Sequence, residues 1–433
     1  MRAEDASADH YAQRVEALSQ ATVRLRFDPF VDIDWDAAEN TLDPTDPRWE
    51  LHRHTSPLAA TDWYAEQPLQ KRVDMGRWII ANMCKVGIQF EMILIRSVIH
   101  RAGKLPNTHP AFRYLMHEVT DECNHIQMFQ EFINRNGQDV PGMRRMSRIL
   151  GPIASFVIGY LKTVLFIAVL GGEQPINYQQ TLVLRGASQI PPLLSKVHYI
   201  HLAEEARHIT FAEDYLAQQV RTVGRLKRAA YAIMFPLILR WLMGEIFTPP
   251  RSFARQFGVP RRVFKAAYWR SEFSRQMLVE CAADVRRVAA DLGLRNPWSR
   301  WVWWLLGIEG RPSRYRSEPN RLFEGATITR LDELRTTVWT RITAVAIVAA
   351  IAVLATPVGL RIIGAAAAGA AVWAVYHLLR ERRGGVVGNQ PFEWPRLLIW
   401  VAVCVSMIPV GGLIGLAMVV VMILALAEFL PTL

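Results

Sequence analysis

Cysteine is scarce in this chain: 433 residues contain four, and Cys84, Cys123, Cys281 and Cys404 lie far apart without a Cys-x-x-Cys pair. That spacing excludes a disulfide framework and a thiolate zinc site. A secretory leader is also missing, because MRAEDASADHYAQRVEALSQ is charged where a signal peptide needs an apolar core. Residues up to about 330 are therefore expected in the cytoplasm. Between Lys71 and Leu292 no segment alternates apolar and polar residues as a strand would. With 51% hydrophobic, 10% aromatic and 21% charged residues, disordered, collagen-like and low-complexity classes are excluded as well.

What is present is unevenly distributed. The net charge is +11, yet residues 28–46 are acidic, with Asp28, Asp32, Asp34, Asp36, Glu39, Asp43 and Asp46 and no basic residue. That stretch, part of an N-terminal segment 1–70, is suited either to cap a neighbouring domain or to bind a partner. Residues 251–330 carry 16 Lys or Arg against 7 Asp or Glu, together with Trp269, Trp298, Trp301, Trp303 and Trp304. Basic residues beside tryptophans suit nucleic acid or a lipid surface. The next stretch of sequence decides for lipid, so 251–335 is read as a basic, Trp-rich, membrane-proximal helical segment and nucleic acid is not an expected partner.

From about residue 336 to 433 the chain is apolar. Ile342–Pro357 and Leu360–Leu379 are separated by Pro357-Val358-Gly359, and Leu397–Leu430 is broken at Pro409-Val410-Gly411-Gly412. A bilayer span needs ~20 apolar residues, so three or four transmembrane segments are expected. Arg330, Arg335 and Arg341 precede the first stretch, and Arg380, Arg382, Arg383 and Arg396 come after the second. Both flanks then face the cytoplasm under the positive-inside rule, which predicts a multi-pass membrane protein with a cytoplasmic catalytic domain.

The intervening region, 71–250, reads as long helices punctuated by Gly and Pro. The spacing predicts helices over 72–102, 108–137, 152–184 and 188–222, which suit an antiparallel four-helix bundle able to hold a cofactor. Further helices near 226–247 and 261–292 would pack outside it.

Two of these helices carry Glu-x-x-His: Asp121-Glu122-Cys123-Asn124-His125 and Glu204-Glu205-Ala206-Arg207-His208. One copy means little on composition alone. The surroundings are specific, because Glu91 precedes Glu122 by 31 residues and Glu173 precedes Glu205 by 32, an internal repeat of helix-Glu, helix-Glu-x-x-His. Residues three apart on a helix differ by ~60° in azimuth, so each Glu and His project from one face and reach one metal. Glu91 and Glu173 lie in apolar sequence, where an ionised carboxylate needs a compensating cation. One Glu from each of two helices plus Glu-x-x-His from each of two others is the ligand set of di-iron and di-manganese carboxylate bundles. Carboxylate and imidazole ligands without thiolate suit iron or manganese over copper or structural zinc. His201, four residues before Glu205, lies on the same face and is expected to share a metal with Glu205 and His208. Asp121 and Glu204 are placed to accept the imidazole N–H groups of the opposite helix. Cys123, ~100° off the ligand face, is read as helix packing. His100, His109, His117, His198 and His377 are read as structural. Gly171 and Gly172, beside Glu173, either leave room for O2 or substrate or allow close helix packing.

The pattern Glu91, Glu122-x-x-His125, Glu173, His201-x-x-x-Glu205-x-x-His208 resembles the para-aminobenzoate N-oxygenase family over about residues 70–250, His201 being the feature that separates it from acyl desaturases and ribonucleotide reductase small subunits. The resemblance implies an all-α, ferritin-like bundle with seven metal ligands, Glu91, Glu122, His125, Glu173, His201, Glu205 and His208. It implies two iron ions ahead of manganese, O2 as co-substrate, an electron donor such as a reductase or ferredoxin, and oxygenation of an arylamine nitrogen. The C-terminal apolar block departs from the family's soluble members and widens the substrate to a small apolar or amine molecule at a membrane. A membrane-associated di-iron acyl desaturase or hydroxylase, and a ferroxidase or iron-handling protein, are the alternatives.

Overall fold

In a computed structural model, residues 3–53, 55–185 and 190–318 are described. All secondary structure among them is helical. The helices are α1 (Ala3–Arg24), α2 (Asp62–Ala65), α3 (Leu69–Ala102), α4 (Ala111–Asn136), α5 (Arg145–Tyr160), α6 (Lys162–Arg185), α7 (Pro192–Thr222), α8 (Arg225–Phe247), α9 (Arg251–Gln256), α10 (Arg261–Lys265), α11 (Glu272–Cys281), α12 (Ala283–Asp291) and α13 (Arg300–Leu305). A π turn over Ala266–Arg270 joins α10 to α11. Residues 224–230 group apart from the larger unit, which holds the rest of the described chain and the whole bundle. The apolar stretches after residue 341, and with them the expected membrane spans, lie outside the described residues.

Helices α3, α4, α6 and α7 form the bundle, with α3 paired to α4 and α6 to α7. Their ends obey local chemistry. Pro110 caps α4, and Gly137 closes it at φ 74°, a left-handed conformation that glycine enters at little cost. Pro192 occupies the first turn of α7, where its missing N–H is not needed.

The expected third helix, 152–184, is two helices instead of one. The chain leaves helical geometry at Leu161 (φ −97°, ψ 71°), so α5 lies along α3 while α6 pairs with α7. The glycine nearest the break, Gly159, is inside α5 and packed on α3, and residues 160–162 are neither Gly nor Pro, so periodicity alone reads straight through it. The segment expected as one helix over 261–292 is likewise divided, and the expected start at Ser188 lies outside the described residues.

The described residues before Leu69 cover the bundle. Helix α1 packs on α4 and α7, and Ile33, Trp35, Trp49, Leu58 and Tyr64 are buried in one core with Trp78, Phe132 and Leu194. Gly76 shows how close this layer comes, since a Cβ there would stand 1.7 Å from the Trp49 carbonyl oxygen. Helices α8, α11, α12 and α13 join a second core through Phe235, Leu239, Met277, Val285 and Trp303. In the basic Trp-rich segment, Trp303 is fully buried whereas Trp298, Trp301 and Trp304 are exposed. Two helical stretches, Leu69–Ala102 (α3) and Arg225–Gln256 (α8 with α9), are long and apolar enough to cross a membrane by length and composition; the first is a bundle helix that carries Glu91.

Candidate metal centre

Each Glu-x-x-His pair occupies the inward face of its helix. Glu122 and His125 on α4, and Glu205 and His208 on α7, are essentially inaccessible to solvent. Between the helices the four side chains interleave. His125 Nδ1 lies 2.9 Å from Glu122 Oε2 and 3.3 Å from Glu205 Oε1. His208 Nδ1 lies 3.2 Å from Glu205 Oε2 and 3.0 Å from Glu122 Oε1. Both carboxylates therefore stand between both imidazoles, the arrangement two metal ions share when carboxylates bridge them.

Candidate ligand atoms fall into two groups. Those of Glu91, His125, His201 and Glu205 lie within 4.8 Å of one another, as do those of Glu122, Glu205 and His208. Glu205 is common to both. Glu173, on α6, is buried and feels the Glu205 charge, but it belongs to neither group, unlike the other six expected ligands. His201 groups with His125 rather than with His208, contrary to the expectation that it shares a metal with His208. It precedes His208 by seven residues, so the two point from nearly the same azimuth but stand ~10 Å apart along the helix axis. Its Nε2 is 3.8 Å from Glu91 Oε1 and 3.7 Å from Glu205 Oε1.

Around this set lies a buried network of carboxylates. His125 Nε2 meets Glu204 Oε2 at 3.0 Å, and His208 Nε2 meets Asp121 Oδ2 at 3.4 Å. Each imidazole thus presents Nδ1 to the centre and Nε2 to a carboxylate of the opposite helix. The Arg207 guanidinium joins the two, with Nη2 donating to Asp121 Oδ2 at 3.2 Å and to Glu204 Oε1 at 3.3 Å. The N-terminal segment completes the layer. The Phe27 N–H donates to Glu204 Oε1 at 3.1 Å, and Asn124 donates to the Phe27 carbonyl. His201 is held from its other nitrogen, Nδ1 donating to Gln180 Oε1 at 2.9 Å, which leaves the Nε2 lone pair facing inward.

Arg207, Gln180 and Glu118 do not stand out in the sequence as members of the site, although each carries a signal. Arg207 directly precedes His208. Gln180 lies two helical turns after Glu173, and Glu118 precedes Glu122 by one, so both share the face of a candidate ligand. Cys123 is exposed, so it makes no packing contribution of the kind expected. Gly171 is a packing glycine, since a Cβ would meet Leu242 Cδ1 at 3.0 Å, whereas a Cβ at Gly172 would meet nothing within 4 Å.

The electrostatics fit divalent cations. Burial, and after it the neighbouring Glu122 charge, pushes Glu91 well above the usual carboxylate range, and burial with the Glu205 charge does the same to Glu173. Burial opposes charge on His125 and His208, but the Glu122 and Glu205 carboxylates outweigh it and raise both rings. Burial lowers His201 to about 4 and pushes Glu118 up to about 8. Glu91 Oε2, Glu122 Oε1 and Glu205 Oε1 are buried without a hydrogen-bond partner, although Glu122 Oε1 is in ionic contact with His208 and Glu205 Oε1 with His125. Such orphaned oxygens are costly in an apolar interior. Two divalent ions would balance the four glutamates Glu91, Glu122, Glu173 and Glu205 and displace the protons the metal-free site holds.

Gln180 makes one part of this testable. Gln180→Leu removes the acceptor that fixes the His201 tautomer, and outer partners of this kind are worth ~10–100-fold in metal affinity. Titration with Co(II) is expected to show one weakened site and one unaffected site, and Gln180→Glu, which retains an acceptor, is expected to bind near wild type. Two unaltered sites in Gln180→Leu would remove Gln180 from any role at the centre.

Comparison with known proteins agrees with this geometry. The family model for p-aminobenzoate N-oxygenase AurF matches residues 8–293, a wider span than the expected 70–250, as the close packing of α1 and of residues 25–68 on the bundle requires. An uncharacterized protein of Mycobacterium tuberculosis strain CDC 1551 is 44% identical over 311 residues, covering 72% of this chain and 91% of the relative. An uncharacterized protein of Mycobacterium bovis is 43% identical over the same length and coverage. No solved structure matches. Six buried glutamates and histidines gather their ligand atoms on helices that the family model spans in full, and this chain belongs to the p-aminobenzoate N-oxygenase family of di-iron oxygenases.

Proposed function

We propose that the protein is an O2-dependent di-iron oxygenase acting on an amine nitrogen or on a C–H bond of an apolar substrate, held at a membrane by the apolar stretches after residue 341. The observation that carries this reading is the division of the ligand atoms into two adjacent groups that share Glu205, with the neutral His201 added to one of them. Glu91, Glu122, His125, Glu173, His201, Glu205 and His208 would hold two iron ions, which supply the redox chemistry for cleaving O2 and transferring one oxygen atom. For an amine the balance is RNH2 + O2 + 2 e⁻ + 2 H⁺ giving RNHOH + H2O, so a reductase or ferredoxin must deliver two electrons per turnover.

The chain's own residues prepare the site for this. Glu204 and Asp121 orient His125 and His208 through their Nε2 atoms, and Arg207 holds the two carboxylates in place. Gln180 orients His201. Phe129, Phe166, Phe211 and Tyr215 are buried in the surrounding cores and exclude water. Glu118, kept protonated by burial, holds a proton one helical turn from Glu122.

The test is product analysis with the full chain in detergent, loaded with Fe(II), reduced and exposed to 18O2 in the presence of arylamines and lipid-like substrates. About two irons per chain and one 18O atom in the organic product are expected. A ferroxidase would consume O2 with Fe(II) alone and yield no labelled product. A desaturase would yield an unlabelled alkene.

A further inference from the structure

Helix α5 has reversed amphipathy. Its buried positions are Ser147, Leu150, Gly151, Ser155 and Gly159, and the small ones press it against α3. A Cβ at Gly151 would meet Ile93 Cδ1 at 2.9 Å, and one at Gly159 would meet the Ser97 carbonyl oxygen at 3.1 Å. The Ser97 hydroxyl donates to the Ser155 carbonyl at 2.8 Å. The outward positions are the apolar ones. Every exposed residue between Arg148 and Lys162 is Ile, Pro, Phe, Tyr or Leu: Ile149, Pro152, Ile153, Phe156, Tyr160 and Leu161. The five of these that lie on the helix fall within a sector of ~100°. Ile149 is 54% exposed, and Phe156 and Tyr160 are each 48% exposed. A surface helix of a soluble bundle turns the opposite face to water, and a contiguous apolar stripe of this kind marks a contact surface.

Charge identifies the occupant. No Asp or Glu occurs from residue 140 to residue 172, while Arg144, Arg145, Arg148 and Lys162 do. Arg145 and Arg148 are exposed at one end of the stripe and Lys162 at the other, and the Lys104 ammonium sits 3.5 Å from the centroid of the Tyr160 ring. An apolar strip with a basic rim and an interfacial tyrosine matches the boundary between anionic headgroups and acyl chains. Sixteen residues of helix span ~24 Å, less than the bilayer core, and the Ser-lined inner face is already packed, so the helix suits lying in the interface rather than crossing it.

We infer that α5 is a lipid-docking helix, buried by its outward face in the surface of an anionic bilayer. This contact goes beyond the oxygenase assignment, holds for any substrate, and is separate from the apolar stretches after residue 341. It also sets the bilayer against the helix that packs on α3, the helix carrying Glu91.

The experiment uses the full chain reconstituted into phosphatidylcholine–phosphatidylglycerol vesicles, with Phe156→p-benzoylphenylalanine and, as control, Tyr199→p-benzoylphenylalanine on α7. Irradiation is expected to give a phospholipid adduct at position 156 and none at 199. Arg145→Gln and Arg148→Gln are each expected to lower the adduct yield about fivefold, the contribution of one basic side chain at an anionic surface, and pure phosphatidylcholine to lower it further. An adduct to residues 342–430, an adduct to a second chain, no adduct at all, equal lipid adducts at both positions, or a yield indifferent to anionic lipid would each overturn the inference. Carbonate extraction of the same vesicles reports separately on the C-terminal spans, since release of the chain would end the anchoring proposal without bearing on α5 adducts formed before extraction.

Discussion

Glu205→Ala is expected to empty both metal positions, while Glu91→Ala is expected to empty only one. Glu205 is the residue common to the two groups of candidate ligand atoms, with Oε1 3.7 Å from His201 Nε2 and Oε2 3.2 Å from His208 Nδ1. Glu91 belongs to one group only, so its loss leaves Glu122, Glu205 and His208 together. Loss of an outer partner costs ~10–100-fold in affinity, and loss of a shared ligand must cost more, at each site. Metal analysis after equilibrium dialysis against Fe(II) or Co(II) should therefore fall from about two ions per chain to near none in Glu205→Ala and to about one in Glu91→Ala. Removing Glu205 also takes away the larger of the two carboxylate effects that raise His208, Glu122 being the other, so that ring should be less basic in the metal-free variant. Circular dichroism at wild-type strength beside two retained ions would show that Glu205 is not shared and would undo the two-group description. Equal losses in the two variants would do the same.

The sequence makes azimuth legible and leaves axial height obscure. Glu-x-x-His on a helix places two side chains on one face whatever the fold, and the 31- and 32-residue offsets to Glu91 and Glu173 come from bundle helices of equal reach. Six of the expected ligands, all but Glu173, which stands outside both groups, and the two outer carboxylates share that legible face. Which metal position His201 serves cannot be read, because seven residues return a side chain to the same face while moving it two turns along the axis. Arg207 and Gln180 act through contacts to other helices, and nothing local to them states which partner they meet. The division of α5 from α6 at Leu161 is equally hidden, since a run of apolar residues supports a straight helix and a bent one alike. Residues 28–46 show charge but not packing: Ile33 and Trp35, buried in the N-terminal layer, tie the segment to the bundle more than its aspartates do. The same limit conceals α5, whose apolar content reads as core until burial shows which face is inside.

Arg207→Ala should be among the most destabilising single substitutions outside the metal set, and its cost should be recoverable without restoring the arginine. The guanidinium is buried and is shared by Asp121 and Glu204, both fully buried and each at the Nε2 of a candidate ligand. Removing one partner of a buried ionic set leaves the others uncompensated and costs ~3–5 kcal/mol. For a domain of this size ~1 kcal/mol shifts the thermal midpoint by ~2–4 °C, so a fall of roughly 10 °C is expected by intrinsic fluorescence. Arg207→Lys should fall between, because an ammonium cannot present the planar fork that reaches two carboxylates. The informative variant removes all three charges at once: Asp121→Asn with Glu204→Gln and Arg207→Met. It leaves no buried ion unpaired, so most of the lost midpoint should return, as happens when buried ionic sets are replaced whole. Metal affinity should not return with it, because a neutral amide is a weaker acceptor for an imidazole N–H than a carboxylate and makes the ligand less basic, a loss of ~10–100-fold. Stability and metal binding would then separate in one protein, which assigns Arg207 to holding the carboxylates and the carboxylates to tuning the histidines. A triple variant as unstable as Arg207→Ala, or one that binds metal like wild type, would break that division of labour.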